Sequence, residues 1–158
     1  MATTSRTPKP TPASRAARAD AGSLLGLRAA TKAAAATDAE VRSAVRKGYP
    51  FRVLDEVSKH LARPSHEINA VLGIPPRTFA RRKAAKQFTP EESDRIYRLA
   101  RIVQLAIDVL GSDEKARNWL KAPNRALGGE VPFEILDTDI GARQVEAALL
   151  RVAYGIFS

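Results

Sequence analysis

An all-α fold follows from three features of this 158-residue chain. Helix-capping signals recur from residue 37 onward. Apolar residues return at three- and four-residue spacing, and no stretch alternates apolar with polar residues as a half-buried strand does. Residues 1–36 precede this pattern. They are rich in Thr, Pro, Arg and Ala, with three of the ten prolines in the first twelve residues. Large apolar side chains are scarce there, so burial cannot offset the entropy of ordering. This arm is read as a disordered basic segment, with a frayed helix near Leu24 to Ala36. Its Arg-rich, acid-poor start also resembles an organellar transit peptide.

The helices follow in order. Thr37-Asp38-Ala39-Glu40 is a capping box that opens a first helix with Val41, Ala44 and Val45 on its apolar face; Gly48 and Pro50 close it. Phe51 to Leu61 carries Leu54, Val57 and Leu61 on one side, and Pro64 stops it. Ser65 is placed to cap a short third helix that ends at Gly73, where a left-handed residue belongs. Pro76 suits the first position of a fourth helix reaching about Lys86. Thr89-Pro90-Glu91-Glu92 is a second capping box, opening a long helix to Leu110. Its Ile96, Leu99, Val103, Ala106 and Leu110 share a face that Ile102, Leu105 and Val109 widen, so this helix is expected to be central. A short helix after Ser112 carries Trp119 and Leu120, and residues 123–132 form a loop around Gly128-Gly129. A brief turn bears Phe133, Ile135 and Leu136. A last helix, Asp139 to Tyr154, turns Val145, Leu149 and Val152 inward, and Gly155 stops it. The expected organisation is an arm at 1–36, a first helical domain at 37–88 and a second at 89–158.

Charge points to two kinds of partner. The net charge is +9 and the pI about 10.4, yet residues 1–50 carry +6, residues 51–100 carry +4 and residues 101–158 carry −1. Nucleic acid suits the basic part and a protein suits the rest. The absence of cysteine excludes disulfide, thiolate-metal and cysteine-nucleophile chemistry and fits a reducing cytoplasm. The longest stretch without a charged residue, Ile68 to Pro76, is far short of a membrane span, and Leu24-Leu25-Gly26-Leu27 is too short for a secretory core.

The segment from His66 to Leu72, the turn Gly73-Ile74-Pro75 and the segment from Pro76 to Lys86 have helix-turn-helix spacing. The second helix bears Arg77, Arg81, Arg82, Lys83 and Lys86 and no acid. Arg77, Thr78 and Arg81 are expected at base edges in the major groove. Arg82, Lys83 and Lys86 are expected at phosphates, and Phe79 anchors the helix to the core. The competing reading is a solvated basic face.

These residues carry a resemblance. Leu72-Gly73-Ile74-Pro75-Pro76-Arg77-Thr78-Phe79 with Arg81-Arg82 resembles the helix-turn-helix of Xre/MbcA/ParS-type antitoxins. Downstream matches are Glu92-Ser93-Asp94-Arg95, Ala116, Trp119-Leu120, Pro123-Asn124 and Ala126-Leu127-Gly128-Gly129. They continue through Pro132, Leu136-Asp137-Thr138, Gly141-Ala142-Arg143, Val145 and Tyr154-Gly155, while Val131 replaces a commonly polar position. The resemblance covers about residues 37–158. It implies a small helical homodimer that pairs with a RES-domain toxin consuming NAD, covers the toxin's active site and represses its own operon from operator DNA.

Residues 126–150 add an acidic stretch, with Glu130, Glu134, Asp137, Asp139 and Glu146 against Arg143 alone. A cleft that binds a pyrophosphate is positive, so such a stretch is complementary to it. The alternatives are a solvated face and acids that stabilise a helix N-terminus. In the tail, Tyr154, Ile156 and Phe157 with the terminal Ser158 either fold back on the core or enter the toxin. Trp119 is read as core, and Gly128-Gly129, lacking a following Lys-Ser/Thr, as a plain turn.

Catalysis finds no support. The two histidines are His60 and His66; His66-Glu67 lacks a second histidine at Ala70, so no zinc-protease motif forms, and no cofactor is called for. Two readings remain: an antitoxin, or a stand-alone helix-turn-helix regulator with a C-terminal dimerisation domain.

Overall fold

The computed structural model describes residues 37–155. The arm at 1–36, with its expected helix near Leu24, and the residues Ile156, Phe157 and Ser158 lie outside the described residues. Seven α-helices follow in order: α1 (Asp38–Lys47), α2 (Val53–Leu61), α3 (Ser65–Val71), α4 (Pro76–Ala85), α5 (Pro90–Leu110), α6 (Asp113–Lys121) and α7 (Asp139–Ala153). Two 3-10 turns, Arg125–Leu127 and Glu134–Asp137, lie between α6 and α7. The described residues hold no strand beyond one isolated antiparallel bridge, Pro50 to Gln87. None of their helices is long and apolar enough to cross a membrane.

Both capping boxes form as the sequence predicts. Thr37 accepts from the Glu40 N–H while Glu40 accepts from the Thr37 N–H, and Thr89 and Glu92 repeat the exchange. Ser112 and Thr138 cap α6 and α7. Ser65 is different from expectation. It is the first residue of α3 and makes no cap; its hydroxyl instead meets that of Ser58 at 3.3 Å, because Pro64 already sets the extended entry. The second helix begins at Val53 rather than Phe51, since Pro50, Phe51 and Arg52 are spent on a turn.

Helix α5 is the axis of the molecule. Ile96, Leu99, Ala100, Ile102, Val103 and Ala106 are buried, and α1, α6 and α7 pack around it. One hydrophobic cluster runs from Tyr49, Leu54 and Ile68 on the first side to Leu120, Phe133, Val145 and Leu149 on the second. The two sides therefore share a core rather than meeting across a polar seam. Polar contacts also join them: Arg63 lies over the Phe133 ring at 4.1 Å, and Arg117 donates to the His60 carbonyl at 3.2 Å. His60 itself sits at the end of α2, 3.5 Å from Asp113.

Gly141 sits where α7 crosses the second 3-10 turn. A Cβ there would collide with the Ile135 carbonyl, so only glycine lets the first turn of α7 lie on residues 134–137. This close approach fixes the acidic stretch against the helix that follows it.

Tyr49 is a buried liability. Its N–H donates to Ser93 Oγ at 2.8 Å, but its hydroxyl is buried with no hydrogen-bond partner among the described residues. Burial pushes its phenol well above its ordinary value of 10.0, with Tyr97 and Asp94 adding to the shift. The unfolded chain ionises this group near pH 10 while the folded chain keeps it neutral, so unfolding releases a proton at high pH. The stability is intact below the unfolded value and falls as pH rises above it. Tyr49→Phe is expected to change neutral-pH stability by less than about 1 kcal/mol, because the hydroxyl it removes has no partner. It should also lessen the alkaline decline, read by thermal melts from about pH 8 to about pH 11.

Candidate functional site

The turn between α3 and α4 is held from three sides. Asn69 donates through Nδ2 to the Ile74 carbonyl at 2.9 Å, Gly73 takes φ +64°, and Arg95 of α5 donates to the Leu72 carbonyl at 3.1 Å. Pro75 is extended and Pro76 begins α4 with φ suited to a helix start and no N–H to leave unpaired. Helix α4 contains no fully buried residue and no acid in its first turn. It rests on Phe79, whose ring meets Phe51 at 5.2 Å, and Phe51 stacks in turn on Phe88 at 5.2 Å.

The basic residues of α4 divide into two groups. Arg77, Arg81, Lys83 and Lys86 are exposed, with Ala80 and Ala84 beside the arginines on the outward face. Thr78 is half-buried on the inward side with Phe79 and Arg82. Arg82 departs from the phosphate-facing expectation: its Nε donates to Glu92 at 3.0 Å and 2.8 Å, and the side chains are only 20% and 11% exposed. Arg82 is therefore occupied within the fold. Lys86 ends α4 in the left-handed region at φ 57°, which turns the chain so that its carbonyl accepts from the Phe51 N–H at 3.0 Å.

A second surface lies on α7 and the loop before it. Of the acids that the sequence singles out, Asp139 pairs with Arg98 at 3.3 Å and with Arg143 at 2.9 Å. Glu146 pairs with Arg101 at 2.7 Å. Those two acids are thus largely neutralised by α5 arginines. Glu130, Glu134 and Asp137 are exposed and make no ion pair among the described residues. Asn124 shapes their loop, accepting from the Ala126 N–H at 2.9 Å through its side chain and donating its own N–H to the Glu130 carbonyl at 3.0 Å.

The outward face of α7 carries Ile140 and Tyr154, each 71% exposed, and Leu150, 38% exposed. These are the exposed large apolar side chains among the described residues. Tyr154 belongs to the expected toxin-facing set; Ile140 and Leu150 fall outside it. Their signal is a second apolar stripe at 140, 147, 150 and 154, opposite the inward Val145 and Leu149. Tyr154 does not fold onto the core, and Gly155 turns the chain at φ +65°. Trp119 is half-buried against the core. No group of three or more metal-ligating side chains occurs among the described residues.

The Glu92 contact yields a test. Glu92→Ala removes the second half of a capping box and leaves the mostly buried Arg82 guanidinium without its partner. Stability should fall by roughly 1–3 kcal/mol. Denaturant titration of the variant beside wild type measures this, and a change below a few tenths would contradict the pairing.

Comparison with known proteins finds two family domains along the chain. Residues 40–101 match the antitoxin Xre-like helix-turn-helix domain, and residues 105–155 match the antitoxin Xre/MbcA/ParS C-terminal toxin-binding domain. The chain is 36% identical over 116 residues to antitoxin Xre of Yersinia enterocolitica, spanning 72% of this chain and 78% of that protein. It is 34% identical over 116 residues to antitoxin Xre of Photorhabdus laumondii, with the same 72% and 78% coverage. It is 33% identical over 121 residues to antitoxin Xre of Pseudomonas putida, spanning 76% of this chain and 75% of that one. An exposed basic helix after a braced turn, a second helical half with an exposed apolar face, and this agreement along most of the chain place it in the Xre family of antitoxins.

Proposed function

We propose that this antitoxin neutralises a RES-domain toxin that consumes NAD, and that it represses its own operon as a cytoplasmic homodimer. The observation that carries the DNA half is the outward face of α4, where Arg77 and Arg81 lie beside Ala80 and Ala84 on a helix with no acid of its own. The alanines let the helix axis approach the groove floor, and the arginines reach base edges bidentately. Lys83 and Lys86 are the phosphate contacts, and Arg82 holds α4 at its angle through Glu92. A single helix-turn-helix has a small footprint, so a two-fold partner is expected to set half-sites about 34 Å apart.

Toxin recognition is assigned to the outward face of α7 and the exposed acids before it. Ile140, Leu150 and Tyr154 supply apolar anchors. Glu130, Glu134 and Asp137 suit a positively charged nucleotide cleft, while Asp139 and Arg143 order the edge between them. Ile156, Phe157 and Ser158, which follow Gly155 in the sequence, are assigned to the same toxin contact.

Two measurements test this. Arg77→Ala is expected to cost roughly 1–3 kcal/mol on the operator and relax sequence preference, as read by fluorescence anisotropy on specific and scrambled duplexes. Unchanged operator binding by an Arg77/Arg81 double alanine variant would remove α4 from recognition. For the toxin, deletion of Ile156 to Ser158 should impair inhibition of NAD consumption while leaving operator affinity and melting temperature nearly unchanged. Full inhibition by the stable truncated chain would remove the tail from the mechanism, leaving α7 and its acidic loop.

A further inference from the structure

Helix α1 is acidic in its first turn and basic in its last. Its acids, Asp38 and Glu40, lie in the first turn, and Glu40 is turned back to accept from the Thr37 N–H at 2.6 Å. Arg42, Arg46 and Lys47 are exposed and make no ion pair among the described residues. Several other arginines are paired: Arg63 meets Glu67 at 2.7 Å, Arg98 meets Asp94 and Asp139, and Arg101 meets Glu146. Helix α1 packs through half-buried Val41, Ala44 and Val45, so its basic side chains do no packing that would explain them.

Their position is set by the close of the helix-turn-helix. Gln87, directly after Lys86, donates through Nε2 to the Lys47 carbonyl at 2.7 Å. Pro50 pairs with Gln87, and the Phe88 N–H donates to the Tyr49 carbonyl at 2.9 Å. The basic last turn of α1 therefore abuts the basic end of α4, some forty residues later in the chain. Arg42, Arg46 and Lys47 line one shallow hollow with Ala39 and Ser43, with Arg42 one helical turn before Arg46.

We infer that Arg42, Arg46 and Lys47 of α1 form a second phosphate-binding patch, continuous with α4, that grips the duplex backbone beside the groove α4 enters. This rests on the DNA-binding reading of α4. Cations also stabilise a helix C-terminus by meeting its unpaired carbonyls. That role would change stability and leave DNA affinity alone, whereas backbone contacts act through counterion release and carry no sequence information.

The test titrates the full-length chain against the DNA upstream of its own gene and against a random-sequence duplex, at several salt concentrations. The variants are Arg42/Arg46/Lys47→Gln, the charge-keeping Arg42/Arg46→Lys, and Arg77/Arg81→Ala in α4. The glutamine variant should weaken binding to both duplexes in proportion. It should flatten the slope of log affinity against log salt by about 0.9 for each phosphate that is no longer neutralised, roughly 2–3 in all. The lysine variant should keep the wild-type slope, and all three should melt close to wild type. An unchanged slope in the glutamine variant, while the α4 variant loses operator binding, overturns the patch and leaves the α4 reading intact. A change in the ratio of specific to random binding also overturns it, since phosphate contacts read no sequence. If neither the glutamine nor the α4 variant alters binding, the α4 reading fails and the patch fails with it.

Discussion

The carboxylate of Glu92 is shared between two structures that are otherwise separate. One oxygen accepts the Thr89 N–H at 2.8 Å and so starts α5; the same carboxylate receives Arg82 from α4. The next residues extend the arrangement. Ser93 accepts from the Tyr49 N–H and donates to the Thr89 carbonyl, and Arg95 reaches the Leu72 carbonyl in the turn. Helix α4 has no fully buried side chain, so hydrophobic burial alone holds it loosely. Its angle depends on Phe79 at one side and on the first turn of α5 at the other. A carboxylate that caps a helix and pairs a guanidinium in a poorly solvated site resists replacement, because either partner left alone is a buried polar group without a mate.

Helix α7 solves a different problem with the same means. Its inner face, Val145, Ala148 and Leu149, is sealed against α5, while Ile140, Leu150 and Tyr154 stand in solvent. Exposed apolar area of this kind on a helix that is already anchored costs free energy in the isolated chain, and binding a partner recovers it. The ion pairs of Arg98 and Arg101 to Asp139 and Glu146 lie between the two faces. They are partly solvated, so they contribute little to stability and more to fixing the rotation of α7 about its axis.

What is legible in the sequence is local. Thr37, Thr89, Ser112 and Thr138 announce helix starts because a hydroxyl bonds an N–H three residues on, within one turn. Gly73 and Pro76 mark the turn because one tolerates positive φ and the other needs no N–H. The central role of α5 is readable from apolar spacing. The pairing of Arg82 with Glu92 is not, since both residues also look like ordinary members of a basic helix and a capping box. Asp139 and Glu146 read as a free acidic patch because the α5 arginines that meet them lie 41 and 45 residues away; only the Asp139–Arg143 pair is local. Ser65 looks like a cap by type, but Pro64 and the nearby Ser58 hydroxyl give it other company. The exposed stripe of α7 is hidden in the sequence because one inward stripe already accounts for the helix.

The helix-turn-helix match ends at residue 101 and the toxin-binding match begins at residue 105, both inside α5. The boundary between two functions thus falls within an unbroken helix of 21 residues, about 30 Å of continuous hydrogen-bonded backbone. Phase along that helix is inherited by everything after it. One residue inserted or deleted near the boundary would turn the second half by about 100° relative to the first. An exchange of halves at this junction must therefore preserve helical register to keep the second half in its place.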